Sequence, residues 1–101
     1  MSVKEKILEY LKDCHNGADN ALVGRRLSAN FGIDTPTLRR IINQLRTEKH
    51  PICSNGYGYF YSTDSNEINH TIAHLASRSS GMLKAIEGLL SAKSLLEQSK
   101  D

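Results

Sequence analysis

Apolar residues recur along this chain first in three short stripes of helical spacing, then in two β-prone runs, then in one long stripe. In the first stripe Val3, Ile7, Leu8 and Leu11 share a face, with Tyr10 beside them. Apolar positions three and four apart define one side of a helix. Ser2, with Glu5 three residues on, makes a capping-box pattern, so the spacing predicts a helix over Ser2–Asp13. Asn16 and Gly17 favour a turn and end it. The second stripe is Leu22, Val23, Leu27 and Phe31, which predicts a helix over Asn20–Phe31 with Arg25, Arg26 and Asn30 outward. Gly24 lowers helix propensity there by roughly 1 kcal/mol relative to Ala, acceptable where another helix crosses closely.

The third stripe is Leu38, Ile41, Ile42 and Leu45. Asp34 or Thr35 can cap its helix and Pro36 suits the first turn. Only Gly32, Ile33 and Asp34 separate it from the second helix. A short Gly-bearing connection of this kind swings one helix across another, the geometry of a helix-turn-helix. Opposite the apolar face stand Arg39, Arg40, Asn43, Gln44 and Thr47. Arg, Asn and Gln carry the donors and acceptors that match base edges and phosphates. Pro51 then bars further helix. Ile52–Ser54 and Tyr59–Ser62 are β-prone, and Asn55-Gly56 between them signals a hairpin turn.

After Asp64 and Ser65 one long helical pattern runs to about Gln98. Ile68, Leu75, Met82, Leu89 and Leu96 recur every seven residues, with Ile72, Ser79, Ile86 and Lys93 interleaved. This is the a/d spacing of a coiled coil. A helix of about 30 residues is ~45 Å long, too long to bury its stripe on so small a domain. The pattern therefore predicts pairing with a second copy through Ile68, Ile72, Leu75, Met82, Ile86, Leu89 and Leu96, as a homodimer or homotetramer. The stretch Ser77–Gly81 interrupts the pattern. The expected architecture is mainly α with a small β-hairpin: residues 1–64 as one domain and residues 65–101 as a long, coiled-coil-like oligomerisation helix.

Composition sharpens this picture at a few points. The apolar fraction is 39%, modest for a self-sufficient core. Residues 24–63 carry Arg25, Arg26, Arg39, Arg40, Arg46 and Lys49 against Asp34 and Glu48, while the segments on either side are slightly acidic and the net charge is only +2. The basic excess thus lies on the stretch that would grip a polyanion. A solvated basic face with no ligand is the plainer alternative. No apolar run spans a bilayer and the charged N-terminus has no signal-peptide core, so a cytoplasmic location and no membrane partner are expected. Cys14-His15 and His50-x-x-Cys53 fit no common zinc spacing, and two lone cysteines form no disulfide framework. Scattered helix carboxylates and four histidines without a nucleophile offer no catalytic set, and no phosphate-loop or dinucleotide motif is present. Neither an enzyme nor a cofactor or metal is expected.

Three helices followed by a Gly-bearing hairpin resemble the winged helix-turn-helix. Leu38-Arg39-Arg40-Ile41-Ile42-Asn43-Gln44-Leu45-Arg46, then Pro51-Ile52, then Gly56-Tyr57-Gly58-Tyr59-Phe60 look like the DNA-binding module of the biotin repressor group. The whole chain is similar in style to small winged-helix proteins encoded by phages and mobile elements of Gram-positive bacteria. The resemblance implies a sequence-specific, homo-oligomeric regulator on double-stranded DNA, with the third helix in the major groove and the hairpin as a wing. By position it implicates Thr35, Thr37, Arg39, Arg40, Asn43 and Gln44 in reading DNA, Asn55, Gly56 and Tyr57 as the wing tip, and Arg25 and Arg26 as phosphate contacts. The hairpin departs from strong binders in having no Lys or Arg. No catalytic domain is expected after it, so the resemblance implies no enzyme function. The competing expectation is a winged helix that binds another protein, as a phage replication adaptor or antirepressor.

Overall fold

The computed structural model describes residues 1–78 and 83–98. Five helices and one hairpin follow in order: α1 Val3–Cys14, α2 Gly24–Asn30, α3 Thr35–Thr47, β1 Ile52–Asn55, β2 Gly58–Tyr61, α4 Ser65–Ala76 and α5 Leu83–Gln98. The chain is mainly helical with a small antiparallel hairpin. No described helix is long and apolar enough to cross a membrane.

α1 begins where its capping box demands. Ser2 Oγ accepts from Glu5 N–H, and the Glu5 carboxylate accepts from Ser2 N–H. Those bonds hold the Glu5 carboxyl below its ordinary pKa. Ile7 and Leu11 are fully buried, whereas Val3 is exposed.

α2 is shorter than its pattern predicts. A 3₁₀ turn, Ala18–Asn20, precedes it, and Leu22 pairs with β2: its N–H donates to Tyr59 C=O at 2.8 Å and its C=O accepts from Tyr59 N–H at 2.9 Å. Backbone groups committed to a strand cannot also close a helix. Gly24 is therefore the first helical residue, and the ring of Tyr59 packs nearest to where its Cβ would be, with Leu38 of the crossing α3 at 3.8 Å. Gly58 is required by the same pairing. Its φ is +134°, and a Cβ there would lie 2.1 Å from Leu22 O.

The turn into α3 follows the sequence closely. Gly32 is left-handed with φ +65°, its N–H donates to Ala29 C=O, and Ile33 N–H reaches back to Ser28 C=O. This is the Schellman closure of a helix. Asp34 then caps α3 by accepting from Thr37 N–H at 2.9 Å, and hydrogen bonding from the Thr37 hydroxyl, with that from its N–H, lowers the Asp34 pKa. Leu38, Ile42 and Leu45 enter the core. α3 ends in a second Schellman closure built on Lys49, with His50 N–H donating to Leu45 C=O.

The hairpin separates two apolar clusters. Ile52 joins Ile7, Leu11, Leu27, Leu38, Ile42 and Leu45 on the side of the first three helices. Cys53 and its cross-strand partner Phe60 point the other way, onto Ile68, Leu75, Ala85 and Leu89. Alternating strand residues face opposite sides, so one hairpin serves both clusters. Buried Thr71 fastens α4 to β1, its Oγ1 accepting from Ser54 N–H at 3.3 Å. The Glu67 carboxylate accepts from Ala18 N–H at 3.0 Å and from Ser62 Oγ at 2.6 Å.

The long terminal helix is the expectation that changes most. It is two helices: α4 ends at Ala76, capped by Ser77, and α5 folds back to pack on both α4 and α3. Gly88 makes this approach possible, since a Cβ there would stand 1.6 Å from Arg46 O. Ile68, Leu75 and Leu89, expected in a seam between copies, are buried inside this chain. Ile72, Ile86 and Leu96 are partly buried against the same cluster. Of the remaining seam positions, Lys93 pairs with Glu97 on α5 itself, and Met82 and Ser79 lie outside the described residues.

Candidate nucleic-acid interface

α3 presents its polar side to solvent between the hairpin and α2. Thr35, Arg39, Arg40 and Gln44 are exposed, while Thr37 and Asn43 are half-buried. Thr37 works at the helix start, where its hydroxyl accepts from Arg40 Nη2 at 3.3 Å and tethers that guanidinium near the first turn. Arg25 and Arg26 are exposed on α2.

A groove of about 390 Å³ runs between α3, the hairpin and the end of α4. It gathers five of the expected residues: Arg39 and Asn43 from α3, and Asn55, Gly56 and Tyr57 from the hairpin turn. Arg25, Arg26, Thr35, Thr37, Arg40 and Gln44 do not line it. Asn55 is engaged in shaping the turn. Its Oδ1 accepts from Tyr57 N–H at 2.8 Å, an Asx turn, and its Nδ2 lies 3.5 Å from Ala18 O. Tyr57 next to it is 78% exposed.

The groove also holds residues that were not singled out as contacts. Arg46 forms part of its floor, only 3% exposed. Its Nε donates to Ile52 C=O at 2.7 Å and its Nη2 to Ser54 Oγ at 3.3 Å. Burial pulls its pKa down, and the charge of Arg78 pulls it further. The signal for this was present in the helical spacing: Arg46 is four residues after Ile42, hence on the flank of the apolar face. Arg78 and His74, with Arg78 Nη2 3.3 Å from His74 Nε2, line the groove from α4. They reach it only because α4 folds across β1. No described lining residue is a carboxylate.

The cysteines stand apart from this site. Cys14 is exposed on α1, and Cys53 is buried, its thiol pushed up to about 11 by burial. Among the described residues no group of three or more His, Cys, Asp or Glu side chains is placed to hold a metal ion. Comparisons with protein-family models, with curated proteins and with solved structures give no match for this chain.

Proposed function

We propose that this protein is a sequence-specific DNA-binding regulator of the winged helix-turn-helix type, cytoplasmic and homo-oligomeric. The observation that carries the reading is the exposed face of α3, with Arg39, Arg40 and Gln44 in solvent beside a groove whose described lining holds no carboxylate. Base edges would be read by Arg39, Arg40, Asn43 and Gln44. Thr35 at the helix start, with Arg25 and Arg26 from α2, would meet phosphates. Recognition helices commonly contact bases through their N-terminal residues. That suits this chain, because α5 seals the other end of α3 through Gly88. Tyr57, at the tip of the hairpin, would touch the backbone or minor groove without a charge.

The test is fluorescence anisotropy on labelled random and genomic duplexes between about 50 and about 200 mM salt, where a polyanion contact of several phosphates weakens steeply. Arg40→Ala with Asn43→Ala should weaken binding by tenfold or more while leaving circular dichroism unchanged. Failure to bind any duplex even at low salt would reject the reading. A second reading, a protein-binding module, draws on the exposed Val23 and Tyr57 at the groove rim. It predicts no retention on DNA and capture of a partner that Tyr57→Ala abolishes.

A further inference from the structure

The groove floor carries a charge that the fold does not neutralise. Both hydrogen bonds of Arg46 go to neutral acceptors, the Ile52 carbonyl and the Ser54 hydroxyl. The ion pairs among the described residues are Lys4–Glu48 and Lys93–Glu97, neither of which involves Arg46. A guanidinium so far removed from water is stable only when something answers its charge. Two more cationic side chains face the same space: Arg39 from α3 and Arg78 from the end of α4. Like charges from separate elements around one concavity repel each other, and an anion between them converts the repulsion into attraction. The forked donors of arginine match phosphate oxygens in pairs. A volume of about 390 Å³ accepts a phosphate ester and not merely a halide. At the hairpin side Tyr57 and Tyr59 line the groove, aromatic side chains against which the organic part of such an ester can rest.

We propose that this groove is a phosphate-binding site in which Arg46, Arg39 and Arg78 hold the phosphoryl oxygens and the tyrosines flank the remainder of the ligand. The site does not rest on the DNA reading. Its phosphoryl group comes either from a free phosphate ester or from a nucleic-acid backbone, and two arms of one experiment separate the sources. The whole protein is titrated at constant ionic strength with inorganic phosphate, with deoxyadenosine monophosphate and with a blunt duplex. The Arg46 Nε–H resonance and the melting temperature are followed. Inorganic phosphate or the nucleotide should move Arg46 and raise the melting temperature. Arg78→Ala, at an exposed position, should weaken that response by tenfold or more with unchanged circular dichroism. If only the duplex moves Arg46, and Arg78→Ala weakens that response equally, the phosphate belongs to the backbone. Arg40→Ala with Gln44→Ala, outside the groove, should weaken duplex binding yet leave the nucleotide response intact, so loss of the DNA reading and loss of the phosphate site are distinguishable. No movement of Arg46 with any of the three probes, or an undiminished response in Arg78→Ala, overturns the proposal.

Discussion

Lys49 shows how a single residue can be placed against its own preference. It is the described non-glycine residue with positive φ, +75°, at the position that closes α3. Its N–H donates to Arg46 C=O, and the next N–H reaches Leu45 C=O, so the conformation is imposed by the closure of the helix. The left-handed region costs an L-residue with a β-carbon roughly 1–2 kcal/mol, and glycine escapes that cost. Gly32 occupies the equivalent position after α2. Lys49→Gly should therefore stabilise the protein by about 1 kcal/mol, a rise of roughly 4–8 °C in melting temperature for a domain of this size. Thermal denaturation followed by circular dichroism checks it. A lower melting temperature would mean that the Lys49 side chain contributes more than its backbone costs.

At the scale of elements, local chemistry was legible and long-range pairing was not. The capping box of α1, the Gly32 turn and the Asp34 cap act within a few residues, and each was visible in the sequence and stands in the structure. The start of α2 was not visible, because Leu22 is held by Tyr59, a residue far along the chain. The terminal stripe is ambiguous for a related reason. Spacing of seven specifies one apolar face, but a face is buried equally well by a partner copy or by the chain folding back on itself. The signals that decide were the interruption Ser77–Gly81 and the small residues Ala85, Gly88 and Ala92, which share one side of α5 and are all buried. Small residues allow helix backbones to approach, and Gly88 lies against the backbone of Arg46 and Thr47. Within the site, the exposure of Arg39, Arg40 and Gln44 followed from helical spacing, whereas the inclusion of Arg78 and His74 depends on α4 packing across β1, a long-range contact. Gly88→Ala consequently should destabilise by about 1–3 kcal/mol, the range of core overpacking, because backbone atoms cannot yield as a side chain can. Gly24→Ala is the control. Its Cβ would meet side chains and no backbone, the Tyr59 ring at 3.1 Å and Leu38 at 3.8 Å, and it gains helix propensity. Urea titration of both variants should rank them in that order, and equal stabilities would show that α5 does not seat on α3 as described.

For the whole molecule, the folding back of α5 redraws where two copies can meet. Leu75 and Leu89 are 2% and 0% exposed, so they are occupied by the chain's own core. Leu75→Asp with Leu89→Asp would bury carboxylates beside Phe60 and Ile68, and the expected outcome is loss of cooperative unfolding, not a folded monomer. The apolar residues left free on α5 are different ones. Leu83, Leu90 and Leu95 are 57%, 47% and 56% exposed, and the first two, seven residues apart, share one side of the helix. If the protein pairs as proposed, this side is the seam that remains. Leu83→Asp with Leu90→Asp should then leave the helical spectrum and melting temperature nearly unchanged, since neither side chain supports the core. Light scattering should meanwhile show the mass falling to that of one chain. DNA affinity should fall with it, because two recognition helices on one duplex bind far more tightly than one. An unchanged mass in this variant, alongside a folded spectrum, would remove this side of α5 from the interface. A wild-type mass equal to one chain would remove the pairing altogether, and DNA would then be gripped by a single α3 face supported by Arg25, Arg26 and the groove.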